Sequence, residues 1–358
     1  GLERERLENE YNDLLAKIAY YKEILGNENK LLSVIQEELD TIAEKYGDDR
    51  KTEFTFDKDF QAEDFISDDD VVITSTSLGY IKRMSPEHFH QQNRGGKGIK
   101  GMQTIENDYI EDLFMTTNHH YVMFFTNQGR IFRIKGYEIP EASRTARGTA
   151  LVNLLSLQEN EKVTATLCLR DTNEEKYLIL TTKKGVIKKT ELSQFANVRK
   201  NGIIAITLNE GDQLIEAKLL SEDEEIFLVT KKGMAIEFNE KDVRATGRSS
   251  MGVRGIRLNA GDEVIGMQKA SQGEHFLLVS EKGYGKLTDK SCFKAQARGG
   301  KGIRCYKITE KTGDIVGFKL CDKDRELLLI TTEGIMIRIN LDKVSILGRN
   351  TSGVKLMD

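Results

Sequence analysis

Two glycine-rich, basic segments of the sequence have the composition of a phosphate-binding loop. Residues 92–98 (QNRGGKG) and 296–302 (QARGGKG) both follow the pattern Q-x-R-G-G-K-G. Glycines let the backbone approach a partner closely and leave amide N–H groups available to anions. Arginine and lysine supply positive charge and glutamine a neutral donor, a set that suits the phosphodiester backbone of DNA. No serine or threonine follows either lysine, so neither segment is a nucleotide P-loop.

Basic residues elsewhere in the chain extend this predicted DNA-binding surface. The first segment is predicted to contact DNA through Gln92, Asn93, Arg94, Gly95, Gly96, Lys97 and Gly98. Further lysines and arginines recur at matching places in a repeated unit, which favours a continuous positive rim over scattered solvated side chains. The predicted rim residues are Lys82, Arg83, Lys100, Arg133, Arg144, Arg147, Lys188, Lys189, Arg199, Lys200, Arg248, Arg254, Arg298, Lys301, Arg304, Arg338, Arg349 and Lys355.

One arginine of the repeated unit has two possible roles. It lies four residues before a glycine in five of six units, at Arg94, Arg144, Arg248, Arg298 and Arg349. The third unit departs from the pattern, with Val198 at that place. The arginine could pin its loop through backbone carbonyl groups, or it could contact phosphate. The two roles are compatible, and both stay open at this point.

Other residue types that carry chemistry are poorly placed for it. The four cysteines occur singly and form no C-x-x-C pair, which indicates reduced thiols rather than a zinc site or a disulfide framework. The histidines lack a third ligand at a metal-binding spacing. The run Asp68-Asp69-Asp70 has no phosphate-binding loop nearby, so we interpret it as solvated linker. No cluster of carboxylates or histidines repeats in a way that would suggest a propeller enzyme.

The elements that must position the loops are short strands in six repeats. Glycines recur at intervals of 48 to 56 residues, each after an apolar run, at Gly79, Gly129, Gly185, Gly233, Gly283 and Gly334. A hydroxyl residue stands three positions before each, and a second glycine series runs in parallel. Four strands in about fifty residues, six times over, predict a mainly β, six-bladed propeller-like disc of four-stranded blades over residues 71–358. The sixth unit stops before its fourth strand, so we expect Glu53–Phe56 or a neighbour's strand to complete the ring, unless the array is an open spiral.

The first 70 residues differ from the repeats in pattern and in charge. Apolar residues at 3-4 spacing predict a helical coiled-coil segment over residues 1–46, broken near Gly26–Asn29. Residues 47–70 are acidic and are predicted to form a linker. The net charge is −12 over residues 1–70 and +8 over residues 71–358. A basic body behind an acidic leader is compatible with a polyanionic ligand.

With these features, the chain resembles the carboxy-terminal region of the DNA gyrase A subunit family. The resemblance is carried by the six units, by the first Q-x-R-G-G-K-G segment, which matches that family's box motif, and by residues 46–53, which resemble the exit from its coiled-coil arm. Asn93 departs from the arginine that the family commonly has there, and the second copy at 296–302 makes the assignment of the box to one blade less exclusive.

The resemblance implies a function and a set of partners. It implies a six-bladed β-pinwheel that wraps duplex DNA around a basic rim and supports ATP-dependent negative supercoiling by a type IIA topoisomerase. The expected protein partners are the gyrase B subunit together with a second copy of the A subunit, and the expected location is the bacterial cytoplasm, at the nucleoid. None of the 11 tyrosines follows an arginine as the family's breakage tyrosine does, so the region is expected to be non-catalytic by itself. No cofactor is expected in this chain, since ATP and magnesium would act through other parts of the holoenzyme.

Two alternatives remain. The carboxy-terminal domain of the A-type subunit of topoisomerase IV would share the fold and the DNA binding, although its repeats lack an intact box. A protein-binding propeller would be expected to carry Trp-Asp signatures and mixed-charge loop tips, but the chain has no tryptophan.

Overall fold

The chain is organised as a helical unit followed by a larger β unit. The computed structural model describes residues 1–52, 61–88, 108–171, 176–333 and 336–357. By backbone contacts it divides into Gly1–Gln61 and Ala62–Asp358. Among the described residues, no helix is both long enough and apolar enough to cross a membrane.

The first unit consists of helices α1 (Leu2–Gly26) and α2 (Glu28–Tyr46). The break between them falls at Asn27, whose side chain accepts a hydrogen bond from the amide of Asn29 at 3.0 Å and so caps the second helix. The predicted break is therefore confirmed. Neither helix buries any residue, so the apolar stripe that the spacing predicts is exposed along both.

The second unit is built from short strands. In chain order they are β1 (Asp70–Thr76), β2 (Tyr80–Met84), β3 (Ile110–Thr117), β4 (Tyr121–Thr126), β5 (Arg130–Lys135), β6 (Thr149–Ala150), β7 (Val163–Leu169), β8 (Tyr177–Thr182), β9 (Val186–Glu191), β10 (Ile203–Ile204) and β11 (Leu214–Leu220). They continue as β12 (Glu225–Thr230), β13 (Met234–Asn239), β14 (Val253–Arg254), β15 (Val264–Lys269), β16 (His275–Ser280), β17 (Tyr284–Asp289), β18 (Ile303–Arg304), β19 (Ile315–Cys321), β20 (Glu326–Ile330), β21 (Met336–Asn340) and β22 (Val354–Lys355).

These strands form a propeller-like series of antiparallel sheets. Within the described residues there are five four-stranded sheets, ordered β3-β1-β2-β6, β7-β4-β5-β10, β11-β8-β9-β14, β15-β12-β13-β18 and β19-β16-β17-β22. The sixth unit contributes only the pair β20-β21. The prediction of a mainly β, propeller-like fold is confirmed, and within the described residues five of the six predicted blades are four-stranded. The segment Glu53–Phe56 proposed to complete the sixth blade lies outside the described residues.

In each of the five four-stranded blades, the outer strand is supplied by the following unit. The two-residue strand β6 belongs to the second repeat yet pairs with β2 of the first, with Tyr80 opposite Ala150. The same exchange places β10, β14, β18 and β22 on the outer edges of blades two to five. The second to sixth units therefore each contribute strands to two sheets, which differs from the self-contained four-stranded unit that the sequence predicts.

The hairpin turn of each blade explains two of the repeated residue types. In the first five units the hairpin glycine adopts positive φ, as at Gly185 (+90°) and Gly233 (+88°), a conformation in which a side chain would be strained. The hydroxyl three residues earlier accepts the amide that follows the glycine, since Val186 N donates to Thr182 Oγ1 at 3.1 Å. In the third and fourth units an aspartate that follows a glycine, Asp212 or Asp262, caps the same hairpin; Asp212 Oδ1, for example, accepts a hydrogen bond from Lys184 N at 2.9 Å.

The core lies between successive blades rather than within one sheet. Alternate residues of a central strand face opposite neighbours: Phe124 packs with the first blade, whereas Phe125 packs with the third. Phe276 and Phe293 stack at 4.2 Å between blades four and five. Because a central strand such as β4 is buried on both faces, its sequence is a continuous apolar run rather than an alternating one.

Part of the predicted linker belongs to the β unit. Asp68 Oδ1 accepts the amide of His119 at 2.9 Å, and Asn118 Nδ2 donates to Ser67 O at 2.9 Å. The Glu63 carboxylate lies 3.3 Å from Lys135 Nζ. The backbone bond to His119 holds the pKa of Asp68 below its usual value. Residues 62–69 therefore contact the turn between β3 and β4.

Candidate nucleic-acid interface

The structure describes one of the two Q-x-R-G-G-K-G segments. Residues 92–98, with Lys100, lie outside the described part of the chain. Residues 296–302 form the loop that leads into β18, the outer strand of the fourth blade. The geometry of the Q-x-R-G-G-K-G motif is therefore known for residues 296–302.

Backbone hydrogen bonds hold the second segment against its neighbours. Gln296 N donates to Glu237 O at 2.7 Å, and Gly299 N donates to Gly255 O at 2.9 Å. Gly299 has φ +86°, which explains a glycine at that place in the pattern. These two amides are already bonded to carbonyl oxygens, so the expectation that the glycine-rich loop leaves its amides available to anions does not hold for them. Lys301, by contrast, is exposed.

The repeated loop arginine pins successive outer strands together. Arg298 Nη1 donates to Arg254 O at 2.6 Å, and its Nε donates to Asp242 O at 2.9 Å. Arg248 Nη1 reaches Ile204 O at 3.1 Å, and Arg349 Nη1 reaches Arg304 O at 3.0 Å. In each case the acceptor is the last residue of the preceding outer strand. The structural role left open by the sequence is confirmed for these three arginines.

Three predicted rim lysines are buried, which corrects that part of the prediction. Lys82 and Lys188 are 0% and 1% exposed, and Lys189 is 9% exposed and paired with Glu240 at 2.7 Å. Lys286, which occupies the register of Lys82 and Lys188, is also 0% exposed. Their ammonium groups donate to protein oxygens instead of facing solvent, so they cannot touch phosphate directly.

The buried lysines in this register share one environment. Lys82 Nζ donates to Ser143 O and Ala146 O, both at 3.1 Å, and Lys286 Nζ donates to Gly348 O at 2.7 Å. Burial lowers the pKa of Lys82, Lys188 and Lys286 to about 8 in each case. Buried lysines that stay protonated at neutral pH add positive charge just beneath the loop surface.

The remaining predicted rim residues fall into two groups by exposure. Five of the six half-buried members donate side-chain hydrogen bonds to backbone carbonyls; Arg83 Nε, for example, donates to Ile139 O at 2.9 Å, and Arg133 Nη1 donates to Ala196 O at 2.8 Å. The half-buried members are Arg83, Arg133, Arg144, Arg248, Arg298 and Arg349. Exposed members are Arg147, Arg199, Lys200, Arg254, Lys301, Arg304, Arg338 and Lys355. Arg338 is bonded to Glu326.

Three exposed residues occupy one register on successive outer strands. Arg254, Arg304 and Lys355 are the last residues of β14, β18 and β22, the outer strands of blades three, four and five. The corresponding residues of blades one and two are Ala150 and Ile204, so the positive edge is confined to part of the series. An outer-strand position is the part of a blade farthest from the inner strands, and it suits contact with a long ligand.

Two further basic residues lie at this edge but were not among the predicted rim residues. Arg257 and Lys307 are exposed and follow Arg254 and Arg304 by three residues. Their amides bond to neighbouring loops, at Gly300 O and Thr351 O respectively. The sequence signal is a basic residue five positions after a glycine of the second series, here Gly252 and Gly302, but only these two units carry it.

A cavity of about 620 Å³ lies along the inner strands and takes no part in this edge. Glu111, Asp112, Lys218 and Lys319 line it. Burial raises the pKa of both carboxyl groups and lowers that of Lys218. Among the described residues, no three histidine, cysteine or carboxylate side chains are grouped so as to hold a metal ion.

Comparisons with known proteins agree with this architecture. The family model for the DNA gyrase C-terminal domain, beta-propeller, matches residues 70–117, 120–170, 176–221, 224–271, 274–322 and 325–358. The A subunit of DNA gyrase from Clostridium acetobutylicum is 49% identical over 100% of this chain and 43% of its own length. That of Halalkalibacterium halodurans is 52% identical over the same shares. The chain thus spans less than half the length of these relatives.

Solved structures show the same fold. A DNA gyrase A C-terminal domain structure has a TM-score of 0.68 at 31% identity, covering 81% of this chain and 96% of that one. The C-terminal domain of a DNA topoisomerase IV also has a TM-score of 0.68, at 23% identity over 82% and 90%. The resemblance stated from the sequence is confirmed. Because six consecutive segments covering most of the chain match the family model, this chain belongs to the DNA gyrase C-terminal domain, beta-propeller family.

Proposed function

We propose that this chain binds duplex DNA and bends it along the outer edge of its β-pinwheel, as the wrapping region of a gyrase A subunit. Wrapping of this kind would support ATP-dependent negative supercoiling by the complete enzyme. The observation that carries the proposal is the shared register of Arg254, Arg304 and Lys355 on three successive outer strands. Cations repeated on successive outer strands fit a polyanion that runs along the same edge.

The chemistry of this edge favours contact with the DNA backbone over base reading. Lysine and arginine that neutralise phosphates give binding that tolerates sequence changes and depends on salt. Bending then makes sequence matter through the deformability of the duplex. The segment 92–98 is included in the proposed surface on its composition, and Lys301 on its exposure.

The wrapping role is favoured over the two alternatives. Curated relatives near 50% identity carry the name of the DNA gyrase A subunit, whereas the topoisomerase IV structure at 23% identity supports the fold alone. A protein-binding propeller is disfavoured by the basic outer edge. A gel shift that compares long with short duplexes separates the two classes, since a protein binder should shift neither duplex, whereas a chain that wraps DNA should bind the long duplex more tightly than the short one.

The partners follow from the same proposal. In a complete enzyme the chain would act with the gyrase B subunit in addition to a second copy of the A subunit, at the nucleoid of the bacterial cytoplasm. ATP and magnesium would be bound elsewhere in that assembly, and the breakage tyrosine would lie in another part of the A subunit. The 358-residue chain alone is therefore proposed to bind and bend DNA without cutting it.

A topological assay tests the proposal directly. Relaxed plasmid is incubated with the chain and a nicking-closing enzyme, and the shift in linking number is measured after deproteinisation. The variant Arg254→Ala/Arg304→Ala/Lys355→Ala should lose most of the shift. A matched variant with the same loss of charge, Lys17→Ala/Lys22→Ala/Lys30→Ala, lies in the helical unit and should keep it. No shift with the unaltered chain would refute wrapping.

A further inference from the structure

Three of the arginine loops share a tight turn with the arginine at its second position. In the second unit Ala146 N donates to Ser143 O at 3.1 Å, and in the fourth Ser250 N donates to Gly247 O at 3.1 Å. In the sixth the hydroxyl of Thr351 donates to Gly348 O at 2.7 Å. The central residue pairs of these turns are Arg144-Thr145, Arg248-Ser249 and Arg349-Asn350.

A buried lysine of the preceding unit holds the carbonyl of each of these arginines. Lys82 Nζ donates to Arg144 O at 2.5 Å, Lys286 Nζ donates to Arg349 O at 3.0 Å, and Lys188 Nζ is bonded to Arg248 O. All three lysines stand three residues after a hairpin glycine, in the first, third and fifth units. The central carbonyl of the turn therefore points inward, toward the ammonium group.

The same peptide group must then point its N–H outward. No described peptide bond is cis, and in a trans peptide the C=O and N–H directions are opposed. The outward amides belong to Thr145, Ser249 and Asn350, which are all exposed. Within the described ranges, no acceptor is bonded to any of the three amides. A carbonyl bonded to an ammonium group also polarises its peptide, which strengthens the N–H as a donor.

The loop at residues 296–302 shows the opposite arrangement. Its central pair is Arg298-Gly299, and the positive φ of Gly299 belongs to the turn type whose central peptide is rotated by about half a turn. The amide of Gly299 is bonded to Gly255 O at 2.9 Å, so it is not available to a ligand. Beneath this loop the lysine register holds Ile236, whose Cδ1 lies near Gly300. Where this register holds lysine, the amide after the loop arginine points outward; where it holds Ile236, the equivalent amide is bonded to a backbone carbonyl.

We propose that the amides of Thr145, Ser249 and Asn350 are phosphate-binding sites, spaced at every second unit and held in place by Lys82, Lys188 and Lys286. Each site combines an outward N–H with the arginine before it and a buried positive charge behind it. A phosphodiester oxygen is the ligand class that this combination fits, because anions bind where backbone N–H groups converge with cations. The lysines are positioning residues, since they act through the peptide and do not touch the ligand.

This inference rests on the proposed DNA binding, and amide hydrogen exchange tests it separately. Exchange is measured residue by residue on the whole chain, with and without a long linear duplex, after a gel shift has established binding. Slower exchange at Thr145, Ser249 and Asn350 with DNA, and no change at Gly299, is the expected result. Binding of DNA without protection at these three amides overturns the inference and leaves the proposed function standing. Failure to bind DNA at all overturns both.

A set of variants adds a second readout. Lys82→Met/Lys188→Met/Lys286→Met removes the buried charges, and we expect DNA binding about tenfold weaker, together with loss of the amide protection. Ile236→Met changes the equivalent position of the fourth unit, and it should leave both unchanged. If the triple variant does not fold, hydrogen exchange on the unaltered chain still tests whether DNA protects the three amides. A folded triple variant with unaltered affinity and protection would contradict the inference.

Discussion

Arg298 donates from Nη1 to the carbonyl oxygen of Arg254 at 2.6 Å, which joins the outer edge of one blade to the loop that enters the next. The bond is repeated by Arg248 and Arg349 on their own neighbours. The guanidinium of Arg298 is thereby held against the preceding outer strand. The exposed residues Arg254 and Arg304 are the last residues of β14 and β18, the two outer strands that Arg298 connects. A residue type that the sequence offers as a ligand contact thus also holds adjacent blades together.

The first prediction concerns this bond. Arg298→Ala removes two hydrogen bonds to carbonyl oxygens, at Arg254 and Asp242, and should lower the free energy of unfolding by about 1–3 kcal/mol. Lys301→Ala in the same loop removes an exposed charge and should change it by less than about 0.5 kcal/mol. Urea unfolding followed by circular dichroism measures both. Equal midpoints for the two variants would show that the arginine does not pin the loop.

The repeated turns were predictable because their causes are local. A glycine that needs positive φ and a hydroxyl that accepts the amide beyond it both lie within one hairpin, as at Thr182 and Gly185. The series of glycines therefore predicts the number of units and the positions of the hairpins.

The exchanged outer strands and the buried lysines were not predictable, because their partners lie far along the chain. Strand β14 pairs with β9, more than sixty residues earlier, and two residues are too short to show a periodicity. Lys188 lies in a register that elsewhere holds Phe132 and Ile236, but nothing nearby in sequence shows that its ammonium group will donate a hydrogen bond to Arg248 O. The sequence therefore predicts cations in this register but not the direction in which they point.

The second prediction is the salt dependence of DNA binding. The logarithm of affinity for a long duplex should fall linearly with the logarithm of salt concentration, with a slope of about −0.9 for each phosphate neutralised. For Arg254→Ala/Arg304→Ala/Lys355→Ala the slope should be smaller in magnitude by about 3, since three cations are lost. Fluorescence anisotropy across a salt series measures both slopes. An affinity that does not change with salt would rule out the electrostatic wrap.

The third prediction concerns the first Q-x-R-G-G-K-G segment. Replacement of residues 94–98 with alanines removes Arg94 and Lys97 together with three glycines, and should abolish the linking-number shift. The fold should persist, as judged by the far-ultraviolet circular dichroism spectrum and the thermal transition. Lys301→Ala serves as a control in the second copy and should cause a partial loss at most. An unchanged shift in the 94–98 variant would remove this segment from the proposed surface.

The last prediction is a pH dependence of opposite sign for stability and for DNA binding. Burial lowers the pKa of Lys82, Lys188 and Lys286 to about 8 in the folded chain, against about 10.4 for an unfolded lysine. Between these values the unfolded chain binds more protons, so the free energy of unfolding rises with pH in that window. The increase is limited to roughly 3 kcal/mol per lysine. DNA affinity should fall over the same window, because the charges behind the phosphate sites are lost.

The variant without the three buried lysines is the control for this pH dependence, and the groups that face each lysine are known. Arg144 faces Lys82, Arg248 faces Lys188, and Arg349 faces Lys286 together with Cys292 and Cys305, while burial raises the pKa of the Cys305 thiol to about 12. Urea midpoints and DNA affinity are therefore compared at pH 7 and pH 9 for the unaltered chain and for the triple Lys→Met variant. The two chains differ only at these three positions, so a difference between their pH profiles is due to the three lysines. Only the unaltered chain should gain stability and lose affinity, and parallel pH profiles would show that the buried lysines do not titrate there.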